Sequence, residues 1–189
     1  CKPLLTVTGK RAEFVAGARR VVLENGMVSV LRGATIETTI SPLAPNFPQG
    51  YYGPEIHVLE NGPAFAWIQC VYEGFPWNLT LEIKVDQSGQ VELITRVLAV
   101  LGKQNFPTFG FSGTVPGGER KINGVADGGN SFQLHDEKRR INSWTAGATQ
   151  FVFPDGVHSR QGRLTIEKGH FQLFRDPKLD NLEKKEYVF

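Results

Sequence analysis

An all-β fold, an antiparallel sandwich or supersandwich, is predicted by three features of the chain. The first is the run Asn78-Leu79-Thr80-Leu81-Glu82-Ile83-Lys84-Val85-Asp86, where every second residue is apolar, the pattern of a half-buried strand. The second is the turn at Gln87-Ser88-Gly89, after which Val91 to Leu101 forms a second β-rich run, so the pair reads as an antiparallel hairpin. The third is spacing. Glycines and prolines punctuate short segments rich in Val, Ile, Thr and Phe at regular intervals, as in a sandwich or barrel.

Taken in order, the strands expected first are Arg20 to Leu23 and Met27 to Leu31, joined by Asn25-Gly26, whose residues both tolerate the positive φ of a tight hairpin turn. Thr35 to Ile40 follows. From Ser41 to Pro54, four prolines and two glycines read as a long crossing loop, a kind of segment that often carries function. Glu55 to Leu59 comes next, then Ala64 to Glu73. Both faces of this last run are largely apolar, with Ala64, Ala66, Ile68 and Cys70 opposite Phe65, Trp67 and Val71, which predicts a central strand covered on both sides.

Beyond the main hairpin, strands are expected at Thr108 to Val115, Lys121 to Val125, Ser131 to Leu134, Ile141 to Trp144, Thr149 to Phe153, Arg163 to Glu167 and His170 to Phe174. Asp155-Gly156 resembles the Asn25-Gly26 turn signal. Residues 1–175 therefore read as one β-domain and 176–189 as a charged tail. Leu179 and Leu182 would share a face of a short helix there, and the apolar end Tyr187-Val188-Phe189 suggests docking on the domain itself or on a partner.

A chain of 189 residues can bury a core without disulfides or metals. The formal net charge of +2 does not suggest nucleic acid, since Arg19-Arg20 and Lys138-Arg139-Arg140 are short clusters that solvated faces explain. Two cysteines provide neither a disulfide framework nor the ligand spacing of a zinc site, so no metal and no cofactor is expected. No apolar run reaches the length of a transmembrane span. Cys1, which stands where an initiator Met would be, suggests a processed, exported or organellar chain, and a lipid on Cys1 would allow peripheral membrane association.

Candidate chemistry is sparse. His57, His135, His158 and His170 are the possible general bases, and His135 is followed by Asp136 and Glu137. Gly117-Gly118 and Gly128-Gly129 lack the Gly-Lys-Ser/Thr step of a phosphate-binding loop. No serine has a nucleophile-elbow context, and Asn78-Leu79-Thr80 matches a glycosylation acceptor only by pattern. The aromatics say more. Tyr51-Tyr52, Phe75-Pro76-Trp77 and Phe106-Pro107-Thr108-Phe109-Gly110-Phe111 would gather at one end of a sandwich, and Tyr51, Tyr52, Trp77, Phe109 and Phe111 would offer flat rings to a sugar. Core packing or a protein interface is the alternative for the same residues.

Gly74-Phe75-Pro76-Trp77 before the first hairpin strand, Val91-Glu92-Leu93-Ile94-Thr95-Arg96-Val97 after the turn, and Phe106-Pro107-Thr108-Phe109-Gly110-Phe111 beyond it resemble the central part of galactose mutarotase-like proteins. The resemblance covers about Ala64 to Val115 and implies a β-supersandwich. In the enzymes of that superfamily a histidine commonly follows the Gly-Phe step. Ser112 stands there in this chain, and a serine cannot act as a cationic acid near neutral pH. The family's glutamate base has Glu167 as its nearest counterpart. The resemblance thus implies a module without the catalytic pair, one that binds a protein partner, as in the chloroplast NADH dehydrogenase-like complex, or a carbohydrate. Tyr187 and Phe189 are the expected partner contacts. The alternative is a sugar-active enzyme or its sandwich domain, epimerase-, lyase- or glycosidase-related, that uses His135, His158 or His170 with a carboxylate.

Overall fold

The computed structural model describes residues 4–102, 108–115, 119–122, 124–127, 131–133, 140–147, 149–158, 163–167, 169–175 and 186–188. Among these there is no helix. The strands are β1 (Leu5–Thr8), β2 (Arg11–Ala16), β3 (Arg19–Glu24), β4 (Met27–Arg32), β5 (Thr35–Leu43), β6 (Tyr51–Asn61), β7 (Phe65–Gly74), β8 (Trp77–Asp86) and β9 (Val91–Ala99). They continue with β10 (Phe109–Thr114), β11 (Arg120–Ile122), β12 (Val125–Asp127), β13 (Ser131–Gln133) and β14 (Arg140–Ala146). β15 (Thr149–His158), β16 (Arg163–Glu167), β17 (His170–Arg175) and β18 (Glu186–Val188) complete the set.

Every pairing is antiparallel. A nine-stranded sheet runs β1-β2-β3-β4-β5-β10-β17-β16-β13, a five-stranded sheet runs β18-β9-β8-β7-β6, and a four-stranded sheet runs β12-β11-β14-β15. The two larger sheets share one apolar core, with Phe14, Leu23 and Val28 from one and Ile68, Leu79, Leu81 and Ile83 from the other. Alternation is what makes this possible. β8 sends Leu79, Leu81, Ile83 and Val85 inward while Asn78, Thr80 and Lys84 face out.

The main hairpin has the expected form. β8 pairs with β9 from Trp77↔Ala99 to Val85↔Val91, and the turn is held by Asp86 Oδ1, which accepts from the Ser88 amide (2.8 Å), the Ser88 hydroxyl (2.6 Å) and the Gln90 amide (3.0 Å). Between β3 and β4, Asn25 and Gly26 both have positive φ, 51° and 76°, as a two-residue hairpin turn with the twist of the flanking strands requires.

Several expectations are corrected. The loop expected from Ser41 to Pro54 shrinks to residues 44–50, because β5 extends through Leu43 and β6 starts at Tyr51. Prolines fit these strands because their missing amides are not needed. Pro42 lies past Ile40, where β4 has stopped pairing, and Pro54 sits at a register shift in β6, which is an edge strand. Lys121 to Val125 is not one strand but the ends of the β11–β12 hairpin. Asp155-Gly156 makes no hairpin; both residues fall within β15, between Val152 and Val157, where the register against β14 shifts.

β7 is central, as expected, yet only Ala66, Ile68, Cys70 and Tyr72 are buried. Phe65, Trp67 and Val71 on its other face are half-buried. On that face the buried Glu82 pairs with Arg96 (Oε1 to Nε, 3.2 Å). The strands β1 and β2 were not anticipated. In β2 the inward Phe14 is flanked by the small Ala12 and Ala16 while the outward Val15 is apolar and exposed, which blurs the alternation.

The described part of the tail, β18, pairs with its own domain. β18 pairs with β9 through Tyr187↔Val97, so the docking surface for this end of the tail is the edge of the five-stranded sheet. Leu179, Leu182, Phe189 and Cys1 lie outside the described residues. No helix of the described residues is long and apolar enough to cross a membrane.

Candidate functional site

One end of the five-stranded sheet gathers the exposed rings. Tyr51↔Gly74 is the last pair of β6 with β7, and Trp77↔Ala99 is the last of β8 with β9; Phe75 stands in the turn between them. Hydrogen bonds shape this end. The Asn78 side-chain oxygen accepts from the Gly74 amide (3.1 Å), which engages the only possible acceptor asparagine noted in the sequence, and the Val100 amide donates to the Pro76 carbonyl (3.0 Å). The result is a cluster at one end in which Tyr52 is 82% exposed, Phe75 69% and Leu101 67%, with Val100 also exposed.

Of the five rings expected at a site, Tyr51 and Tyr52 lie at this end, whereas Trp77, Phe109 and Phe111 are buried in the core. β8 alternation explains Trp77, which shares the inward side with Leu79 and Leu81. Phe109 and Phe111 belong to β10, which is paired on both sides by β5 and β17. Phe75 takes the exposed place that Trp77 was expected to hold.

Beside the exposed rings lies a cleft of about 220 Å³, lined by Lys10, Asn25, Pro48, Tyr51, Pro54 and Tyr72 together with Gly26 and Gly53. Four chain segments converge on it: the β1–β2 turn, the β3–β4 turn, the stretch from Pro48 to Pro54 that enters β6, and β7 through Tyr72. Phe47 is the pivot, packing edge-to-face on Tyr51 (centroids 5.3 Å apart) and on Tyr72 (5.1 Å). Tyr51 in turn lies against Gly74, where a Cβ would come within 2.5 Å of its ring.

Tyr72 is the unusual member. It is 3% exposed, and its hydroxyl has no hydrogen-bond partner among the described residues. Burying a hydroxyl without a partner costs about 1–3 kcal/mol. Burial also pushes its pKa up, reinforced by the neighbouring Cys70, whose own thiol burial pushes up to about 12. Both groups are neutral near pH 7. Tyr51 is likewise raised by burial.

The candidate catalytic residues are less well supported by their surroundings. Glu167 and His170 face each other across the β16–β17 turn and line a separate open cavity of about 290 Å³ with Thr165, Phe171 and Gln172. Both are exposed, and no hydrogen bond joins them among the described residues. Ser112 is in β10, opposite Gln172. His158 is in β15, paired with Arg140. His135 lies outside the described residues. His57 is on the exposed edge strand, 3.5 Å from Glu55. Among the described residues no three His, Cys, Asp or Glu side chains are grouped so as to hold a metal ion.

Lys10, Asn25, Pro48, Tyr72 and Phe75 were missed as site residues. Only Phe75 carried a sequence signal, as part of an aromatic-Pro segment; the others meet through tertiary contacts between strands distant in the chain. Compared with known proteins, the chain matches no family model and no curated protein.

Proposed function

We propose that this chain is a non-enzymatic, mutarotase-like β-sandwich module that binds carbohydrate at the aromatic end of its five-stranded sheet. The observation that carries the reading is the exposure of Tyr52 and Phe75 at one end of the sheet, the end where the half-buried Tyr51 lines a polar-rimmed cleft. Exposed rings with hydroxyl- and amide-bearing neighbours suit sugars, which have apolar faces and hydrogen-bonding edges. The Ser112 position and the unlinked, exposed Glu167 and His170 favour binding over catalysis.

The test is binding of the full chain to a panel of immobilised glycans. Wild-type protein is expected to be retained by at least one glycan, and Tyr52→Ala with Phe75→Ala to lose that retention while keeping the wild-type melting temperature, since both rings are exposed. Sugar epimerase turnover abolished by Glu167→Gln would overturn the non-enzymatic part.

A second reading, a structural subunit that docks on a partner protein, is favoured by Val100 and Leu101, exposed aliphatics with no sugar-binding role beside the same rings. Co-purification of a partner that is lost on Leu101→Asp, with glycan retention intact, would select it.

A further inference from the structure

We infer that the free edge of β6 is a strand-addition site for an extended segment of a partner protein in which lysine or arginine alternates with aliphatic residues. The inference is independent of the sugar reading, and it concerns the edge of the sheet opposite β9, away from Val100 and Leu101.

Among the described residues β6 pairs only with β7, so one side of its backbone is open to a further strand. Its two faces differ. Ile56 and Val58 lie opposite Cys70 and Ile68, both fully buried, and so belong to the side that faces the core. Val58 is nevertheless 49% exposed and Leu59 45%, so the apolar layer is left uncovered at this edge by the described residues. Aliphatic side chains of an added strand would extend that layer.

On the outer side Glu55, His57 and Glu60 lie opposite Val71, Gln69 and Trp67, and all three are exposed. Glu55 has only His57 within ion-pair reach, at 3.5 Å, and Glu60 has no ion pair among the described residues. The cations nearby on this face are already engaged, Lys84 with Glu92 (3.9 Å) and Arg96 with Glu82 (3.2 Å). A strand carrying Lys or Arg at its outward positions would therefore bring the charge this edge lacks, and opposite charges across a strand pair are favourable. A second copy's β6 would bring the same carboxylates, which disfavours self-pairing. Pro54 and the register shifts on either side confine straight pairing to residues 55–58, so the partner segment is short.

The experiment titrates the full chain with a fluorescein-labelled synthetic peptide alternating Lys with Val, read by anisotropy, and maps the contact by amide hydrogen exchange. The comparison peptides are a Glu/Val counterpart and two Lys/Val versions N-methylated at the Lys or at the Val amides, one of which has its ladder to β6 blocked. The Lys/Val peptide is expected to bind and to slow exchange in residues 55–58. The Glu/Val peptide and one N-methylated version should bind at least about tenfold more weakly. Glu55→Lys with Glu60→Lys, both exposed, should reverse the preference between Lys/Val and Glu/Val, and Leu101→Asp should leave it unchanged. No binding of Lys/Val, equal binding of both N-methylated versions and the parent, an unchanged preference in the charge-reversed variant, or loss of binding in Leu101→Asp would each overturn the inference. Self-association of the peptide-free chain that slows exchange in the same residues would overturn it as well, since the edge would then belong to a second copy.

Discussion

Replacing Tyr72 by Phe removes one buried oxygen and leaves the ring that packs on Phe47 in place. In the free protein the hydroxyl has been stripped of water without a protein partner among the described residues, so its removal relieves a penalty of about 1–3 kcal/mol. Little opposes this gain, because the ring stays packed on Phe47 and only the contacts of one oxygen are lost. For a domain of this size each kcal/mol moves the melting temperature by about 2–4 °C, so even the low end of the range raises it by that amount. Thermal denaturation by circular dichroism measures the shift. A free variant that melts below the wild type would refute the reasoning, since the hydroxyl would then be making a favourable bond in the native state.

Gly113→Ala tests the centre of the nine-stranded sheet. Its Cβ would collide with the Thr39 carbonyl and come within 2.7 Å of the Phe171 ring, with β5 and β17 fixed on either side, so a loss of about 3 kcal/mol is expected in urea denaturation. Asp86→Asn tests the hairpin turn. Hydrogen bonding from Ser88 holds the wild-type carboxyl below its usual 3.8, so its extra stability is present above that pH and is lost as pH falls through the lowered value. The variant is expected to trail the wild type by less than about 1 kcal/mol at pH 7 and to match it near pH 2, the turn being solvent-exposed. Deleting residues 186–189 removes the pairing of β18 with β9; a loss of about 1–2 kcal/mol and concentration-dependent self-association through the uncovered edge are expected, read by melting and by size-exclusion chromatography.

Where side-chain alternation is strong, the strands were legible before any coordinates. β8 and β9 follow the Asn78 to Leu101 pattern almost residue for residue, and Asn25-Gly26 makes the turn its φ tolerance implies. Legibility failed where alternation is blurred, as in β2, whose inward Phe14 sits between small Ala12 and Ala16 and beside the exposed apolar Val15, and where proline was read as a loop although the strand edge had no use for its amide, as at Pro42 and Pro54. The site was partly legible. Tyr51 and Tyr52 lie where aromatics were expected, whereas Trp77, Phe109 and Phe111 are core residues, because ring type alone does not say which side of a strand faces in.

From sequence alone, then, the chain determines an all-β antiparallel fold and its central hairpin, because period-two patterning and turn chemistry are local properties of neighbouring residues. Only the tertiary structure decides that Lys10, Asn25, Pro48, Tyr51 and Tyr72 meet in one cleft, that Phe75 rather than Trp77 is presented outward, and that β18 closes on β9. These depend on strand order and register across the sheets, which bring together residues far apart in the chain and leave the Tyr72 hydroxyl buried at a site no local pattern marks.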